Sequence, residues 1–173
     1  MKVVCIAYRK WAKDIYTNIS NKDLKSKFFK IYDKNEISFK FLKNIMPDLI
    51  LWYGWSSKIE KEIISEFYNV MLHPSPLPKY RGGSPIQNQI INGEKKSAVT
   101  LFKMDEGIDT GDIIHQETYP ISESDDYKTL LNKAYKECAN VLFESLNQLE
   151  KGIAIRIKQK SVSKQFIYCV KRE

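Results

Sequence analysis

Arginine is scarce in this chain. Of its 28 basic residues only Arg9, Arg81, Arg156 and Arg172 are arginines, and the lysines are spread along the whole length. Arginine is the preferred reader of phosphates and bases, because its planar fork bonds bidentately. The net charge of +7 therefore describes a solvated lysine surface, and nucleic-acid binding is not expected. Attraction of small anionic substrates stays compatible with it. Cysteine is sparse too: Cys5, Cys138 and Cys169 stand far apart with no CxxC pair. That excludes a disulfide scaffold and argues against a zinc or redox site, leaving reduced, buried thiols. With two histidines, His73 and His115, no metal-ligand cluster is visible and no metal is expected. No apolar run approaches the ~20 residues of a membrane helix. The start, Met1 to Ala7, lacks the long apolar region of a secretion signal. A cytoplasmic protein without a membrane segment is expected.

What is present suits one globular domain. The chain has 173 residues, 43% hydrophobic and 28% charged, enough to bury a core without staples. Residues 3–8 form a compact β-branched run and predict a strand. Trp11, Ile15 and Ile19 line one face of a helix over 9–19. Phe28 to Tyr32 suggest a second strand, and 35–45 a helix that ends before Pro47. Asp48 to Tyr53 is a continuous apolar strand of the kind buried on both faces. Ser57 and Glu60 have the spacing of a capping box, with Ile59, Ile63 and Phe67 as the stripe behind it. Val70 to Leu72 is a further strand, 84–92 a helix with Pro85 in its first turn, and 97–104 and 112–119 two more strands. Asp125 or Asp126 opens a long helix that Gly152 ends. Ile153, Ile155 and Ile157 alternate with polar residues and suggest a tail strand. Together with 166–170, that tail is a candidate sheet edge or homodimer interface. Strands alternating with helices predict an α/β fold: three layers, Rossmann-like, with a mostly parallel central sheet and helices on both faces. In such sheets ligands bind off the carboxyl ends of the strands. That directs attention to the loops after Tyr53, after Leu72 and before Asp109.

The most unusual stretch is His73-Pro-Ser-Pro-Leu-Pro-Lys-Tyr-Arg-Gly-Gly-Ser-Pro-Ile-Gln87. Four prolines and two adjacent glycines make this loop shaped rather than floppy. A histidine at the strand end of a shaped loop is how a catalytic group is positioned. A second feature, Met104-Asp-Glu-Gly-Ile-Asp-Thr-Gly-Asp112, sets carboxylates between glycines; Asp109 before Thr-Gly also satisfies turn chemistry.

These two segments, with Val99-Thr100, resemble the formyltransferase family, which moves a formyl unit from N10-formyltetrahydrofolate to an amine. The close match covers roughly residues 47–120, and His73 and Asp109 lie 36 positions apart without a gap against the pattern. The resemblance implies that His73 and Asp109 are catalytic. The histidine stabilises an oxyanion and moves protons, and the aspartate holds it or an intervening water. It implies further that Tyr53, Gly54, Trp55, Asp105, Glu106, Gly107 and Ile108 line the folate side. Ser75, Arg81, Gly82, Gly83 and Gln87 fall on the substrate side. Residue by residue, Trp55 can also pack on a flat pterin, and Asp105, Glu106 and Asp112 also serve as turn or surface carboxylates.

One position departs. The family carries Asn-x-His where this chain has Met71-Leu72-His73, and methionine offers no hydrogen to an oxyanion. Asn69, on the same strand face, reaches the site only if the strand is displaced. Three readings follow: protonated His73 acts alone, Gln87 or a backbone N–H takes over, or ligands bind and turn over poorly. The Arg-Gly-Gly-Ser-Pro-Ile-Gln run resembles the tRNA and sugar branches. With about twenty residues after the long helix, a second tRNA-holding domain is not expected. The amino-terminal half is shorter than the family's by about one βα unit. The expectation is a single catalytic domain over 1–173, with a short extension from about 151. Its expected activity is formyl transfer to a small-molecule amine, a nucleotide-linked amino sugar. A weak or inactive binding protein and a minimal tRNA-type enzyme are the alternatives.

Overall fold

A computed structural model describes residues 1–20 and 25–160. Its centre is a six-stranded sheet in the order β2-β1-β3-β4-β5-β6. The strands are β1 (Lys2–Ile6), β2 (Lys27–Ile31), β3 (Leu49–Trp52), β4 (Asn69–His73), β5 (Lys96–Lys103) and β6 (Ile113–Pro120). The first four run parallel, whereas β5 is antiparallel to both β4 and β6. The sheet is thus mostly parallel, as the alternation of elements predicts.

The helices are α1 (Lys10–Ser20), α2 (Phe39–Ile45), α3 (Lys61–Glu66), α4 (Pro85–Ile91) and α5 (Tyr127–Glu150). Ala12, Ile15 and Tyr16 of α1, Ile86 of α4 and Leu130 to Leu146 of α5 bury one sheet face together with Val70 and Leu72. Leu42 of α2 and Ile63 of α3 bury the other face against Val4, Ile6, Ile50 and Trp52. Period-2 alternation therefore decides the site: Val70 and Leu72 point to one layer, and Asn69, Met71 and His73 to the other. β3 is buried along its whole length, as a strand covered on both faces must be.

Some boundaries differ from the sequence expectations. The helix expected over 35–45 divides into a 3₁₀ turn at Lys34–Glu36 and α2, because Ser38 adopts an extended conformation and caps Phe41 N. The Ser57–Glu60 capping box does not form: α3 starts at Lys61 with no side-chain cap, and Ser57 Oγ instead accepts from Lys34 Nζ at 3.0 Å. Asp126 is the α5 cap, in a reciprocal box with Thr129. Asp125 binds Ser122 N and Lys133, which holds its carboxyl far below the usual range. The stretch after α5 is no strand within the described residues. It is extended chain joined to the sheet by one bridge, Ile113 with Ile157, and residues 166–170 lie outside the description. No described helix is long and apolar enough to cross a membrane.

Candidate active site

His73 ends β4 in a buried position, in register with Thr100 of β5. Its Nε2 lies 2.8 Å from Tyr80 O. A carbonyl can only accept, so Nε2 carries the hydrogen. The other ring nitrogen, Nδ1, faces Asp109 Oδ2 at 3.5 Å. That separation exceeds a normal hydrogen bond. The two atoms are at ion-pair distance, attracted only when Nδ1 also carries a proton, and a third group can lodge beside the pair. Asp109 is itself aimed: its Oδ2 accepts from Gly82 N at 2.8 Å.

The loop after His73 is built by its own polar groups. Ser75 Oγ donates to Lys79 O at 2.8 Å, and Thr100 Oγ1 to Ser75 O at 2.7 Å. Gln116 Nε2 donates to Leu77 O and to Thr100 Oγ1. Gln89 Nε2 grips Pro74 O and Pro85 O. The Leu77–Pro78 peptide is cis, and Tyr80 and Ser84 hold positive φ of 60 and 56, as Asp109 does at 53. The Asp109 loop is closed in the same way. Asp105 Oδ1 accepts from Gly107 N at 3.0 Å and Thr110 Oγ1 at 2.5 Å. A Cβ on Gly111 would meet Lys103 O at 1.7 Å, so only glycine fits.

Several expected site residues have partners or surroundings that the sequence does not reveal. Tyr53 is in the core: its hydroxyl accepts from Cys138 Sγ at 3.0 Å, and Trp11 packs edge-on against its ring. Ser75 is fully buried and its hydroxyl is committed to the loop. Asp105 is a turn residue, exposed Glu106 pairs with Lys61 at 3.8 Å, and Ile108 is exposed. Gly54 holds φ +64 and packs under Trp11. Arg81 turns to Gln159 Oε1, with contacts of 3.0 and 2.6 Å, and Gly83 lies in open space. Gln87 is half-buried, and the neighbouring Gln89 makes the bonds that shape the loop. Asn69 is no reserve oxyanion donor. It donates to Ile63 O and Phe67 O and accepts from Trp52 Nε1 at 2.9 Å, so its amide is spent on the core.

Trp55 and Met71 join Met104 at the edge of one apolar cluster, and Trp55 packs edge-on against Trp52 and Tyr8. Trp55 Nε1 is buried without a partner, a donor left over beside an apolar surface. An apolar surface of this kind suits the face of a flat heterocycle. A nearby cavity of about 410 Å³ is lined by Lys61, Phe67, Tyr68, Met104, Asp105 and Glu106, and lies toward the start of β4 rather than at His73. Among the described residues, no three His, Cys, Asp or Glu side chains converge as a metal site. Thr100, Gln89, Gln116 and Gln159 are site-shaping residues that local patterns do not announce; Thr100 alone lay inside a matched motif.

A mostly parallel sheet that sets His73 against Asp109 off the end of β4, beside a shaped proline loop, is a Rossmann-like architecture. The family model described as Formyl transferase matches residues 6–146, and the chain belongs to that family. A methionyl-tRNA formyltransferase of Halothermothrix orenii is 37% identical over 134 residues, covering 76% of this chain and 42% of that protein. The chain thus spans less than half the length of that relative. The solved methionyl-tRNA formyltransferase from Clostridium thermocellum superposes with a TM-score of 0.78 at 28% identity, over 94% of this chain and 70% of the other. The formyltransferase PseJ from Anoxybacillus kamchatkensis was solved with UDP-4,6-dideoxy-4-formamido-L-AltNAc and tetrahydrofolate. It gives a TM-score of 0.75 at 24% identity, over 94% and 83% of the two chains. That likeness is one of fold.

Proposed function

We propose that this chain carries the catalytic unit of an N10-formyltetrahydrofolate-dependent formyltransferase acting on a primary amine. The observation that carries the reading is His73 Nδ1 facing Asp109 Oδ2 at 3.5 Å, with Asp109 pinned by Gly82 N. The folate donor supplies a formyl carbon open to attack by the amine. His73, proton on Nε2 toward Tyr80 O, offers Nδ1 to the site. Once that nitrogen is protonated, its N–H can donate to the oxyanion that forms. The amine nitrogen bonds to the formyl carbon, the bond from that carbon to the folate N10 breaks, and the proton lost by the amine passes through His73 to N10, so that tetrahydrofolate leaves neutral; Asp109 stays ionised and balances the imidazolium charge that His73 carries in between. Trp55, partly buried at the edge of the apolar cluster, offers ring surface to the donor's flat pterin. His73 is buried, which strengthens each of these contacts.

The acceptor we favour is a nucleotide-linked amino sugar, supported by the fold shared with PseJ. One observation favours a second acceptor, methionyl-tRNA: the sequence relatives at 33–39% identity are methionyl-tRNA formyltransferases. Tetrahydrofolate release, followed with N10-formyltetrahydrofolate and each acceptor in turn, tests both. Release with an amino sugar nucleotide supports the first, and release only with initiator methionyl-tRNA supports the second. No release with any amine, despite folate binding, overturns the catalytic reading.

A further inference from the structure

Gln159 lies beyond α5, 78 positions from Arg81 and 50 from Asp109, yet it touches both. Its amide is fully used. The two Nε2 hydrogens go to Asp109 O at 2.9 Å and Gly111 O at 2.7 Å. Its Oε1 accepts from Arg81 Nε at 3.0 Å and Nη2 at 2.6 Å. The backbone leading to it is fastened two residues earlier, where Ile157 and Ile113 exchange N–H···O bonds of 2.8 Å each. One side chain thereby grips the backbone turn that aims the Asp109 carboxylate. It grips at the same time the residue preceding Gly82, whose N–H holds that carboxylate from the other loop. A side-chain amide is suited to this task, because it donates twice and accepts twice in one plane.

We propose that Gln159 is a positioning residue: it locks the Asp109 turn to the Arg81–Gly82 loop and so sets Asp109 against His73. Its kinetic consequence rests on the formyl-transfer reading above; its geometric consequence does not. Gln159→Glu separates the two grips. A carboxylate keeps Arg81 but has no N–H for the carbonyls of Asp109 and Gly111. It also places negative charge against them.

The test uses the full chain and two readouts, on Gln159→Glu and Gln159→Ala. The first is the imidazole nitrogen NMR spectrum. With two histidines in the chain, His115 beside Glu117 serves as internal control. Both variants are expected to move the His73 ring signals and leave those of His115 in place. The second is kinetics: kcat falls about 10²-fold, as a displacement on the order of 1 Å does, with KM for N10-formyltetrahydrofolate unchanged. Unmoved His73 signals overturn the proposal, as does wild-type kcat in Gln159→Glu. If wild type itself transfers no formyl group, the functional reading fails and the NMR result alone decides on Gln159. If Gln159→Ala does not fold, the near-isosteric Gln159→Glu carries the test.

Discussion

Replacing Met71 with asparagine should raise the rate of formyl transfer. Met71 and His73 lie on the same face of β4, two residues apart, so their Cβ atoms are separated by about 6.6 Å along the strand. That spacing lets two side chains flank one reacting carbon, with His73 on one side and a second donor on the other. Methionine gives no donor there, and Asn69, the next residue on that face, is fully engaged with Trp52, Ile63 and Phe67. One oxyanion donor is worth about 2.7–4 kcal/mol, or ~10²–10³ in rate. An amide installed without evolved support should recover part of this, an increase of about tenfold or more. The substitution also removes apolar packing against the cluster of Trp52 and Ile63. For a half-buried methionine that destabilises by about 1 kcal/mol, and the fold should survive. The assay is single-turnover release of tetrahydrofolate with donor and amine in excess. Thermal unfolding run alongside checks the stability term, and Met71→Leu serves as an apolar control expected to match wild type. An unchanged rate in Met71→Asn, alongside abolition in His73→Asn, would refute the missing-donor account. His73 would then suffice alone, or a backbone N–H would supply the second bond.

Two further outcomes follow from packing. Gly111→Ala forces a Cβ to 1.7 Å from Lys103 O, so the Asp109 turn must shift; formyl transfer should fall about 10²-fold and the melting temperature should drop, both measurable on one preparation. Burial pushes the Cys5 and Cys138 thiols up to about 12. Iodoacetamide at pH 8, a reagent choice on the order of the free thiol's own pKa, should leave both unmodified in the native protein and label both on unfolding, as read by peptide mass. Native labelling of Cys138 would contradict its packing against Tyr53.

Much of the fold was legible because it rests on periods that neighbours in sequence reveal. The all-apolar β3, the helical spacing of Trp11, Ile15 and Ile19, and the stripe of α5 each point to their burial unaided. The catalytic candidates were legible as a matched motif, and the geometry brings His73, Gly82 and Asp109 together. What was not legible is of another kind. Ser57 and Glu60 have capping-box spacing, but Ser57 meets Lys34 across the sheet end. Tyr53 follows the same buried strand as Trp52, and only the partner helix shows that its hydroxyl belongs to Cys138. Ser75 sits inside the motif yet serves the loop's backbone. Gln159 has no local signature at all, since its worth lies in contacts 48 to 78 positions away.

Tyr80, Ser84 and Asp109 are not glycines, yet each bends the chain the left-handed way. Each such residue costs about 1–3 kcal/mol against its local preference. Neither loop, cut out as a peptide, would keep this shape. The active geometry is an imposed one, maintained by β4, β5 and β6 and by the long-range amides that lean on them. Warming would therefore be felt first where the imposition is greatest, and catalysis would fade while the sheet still stands.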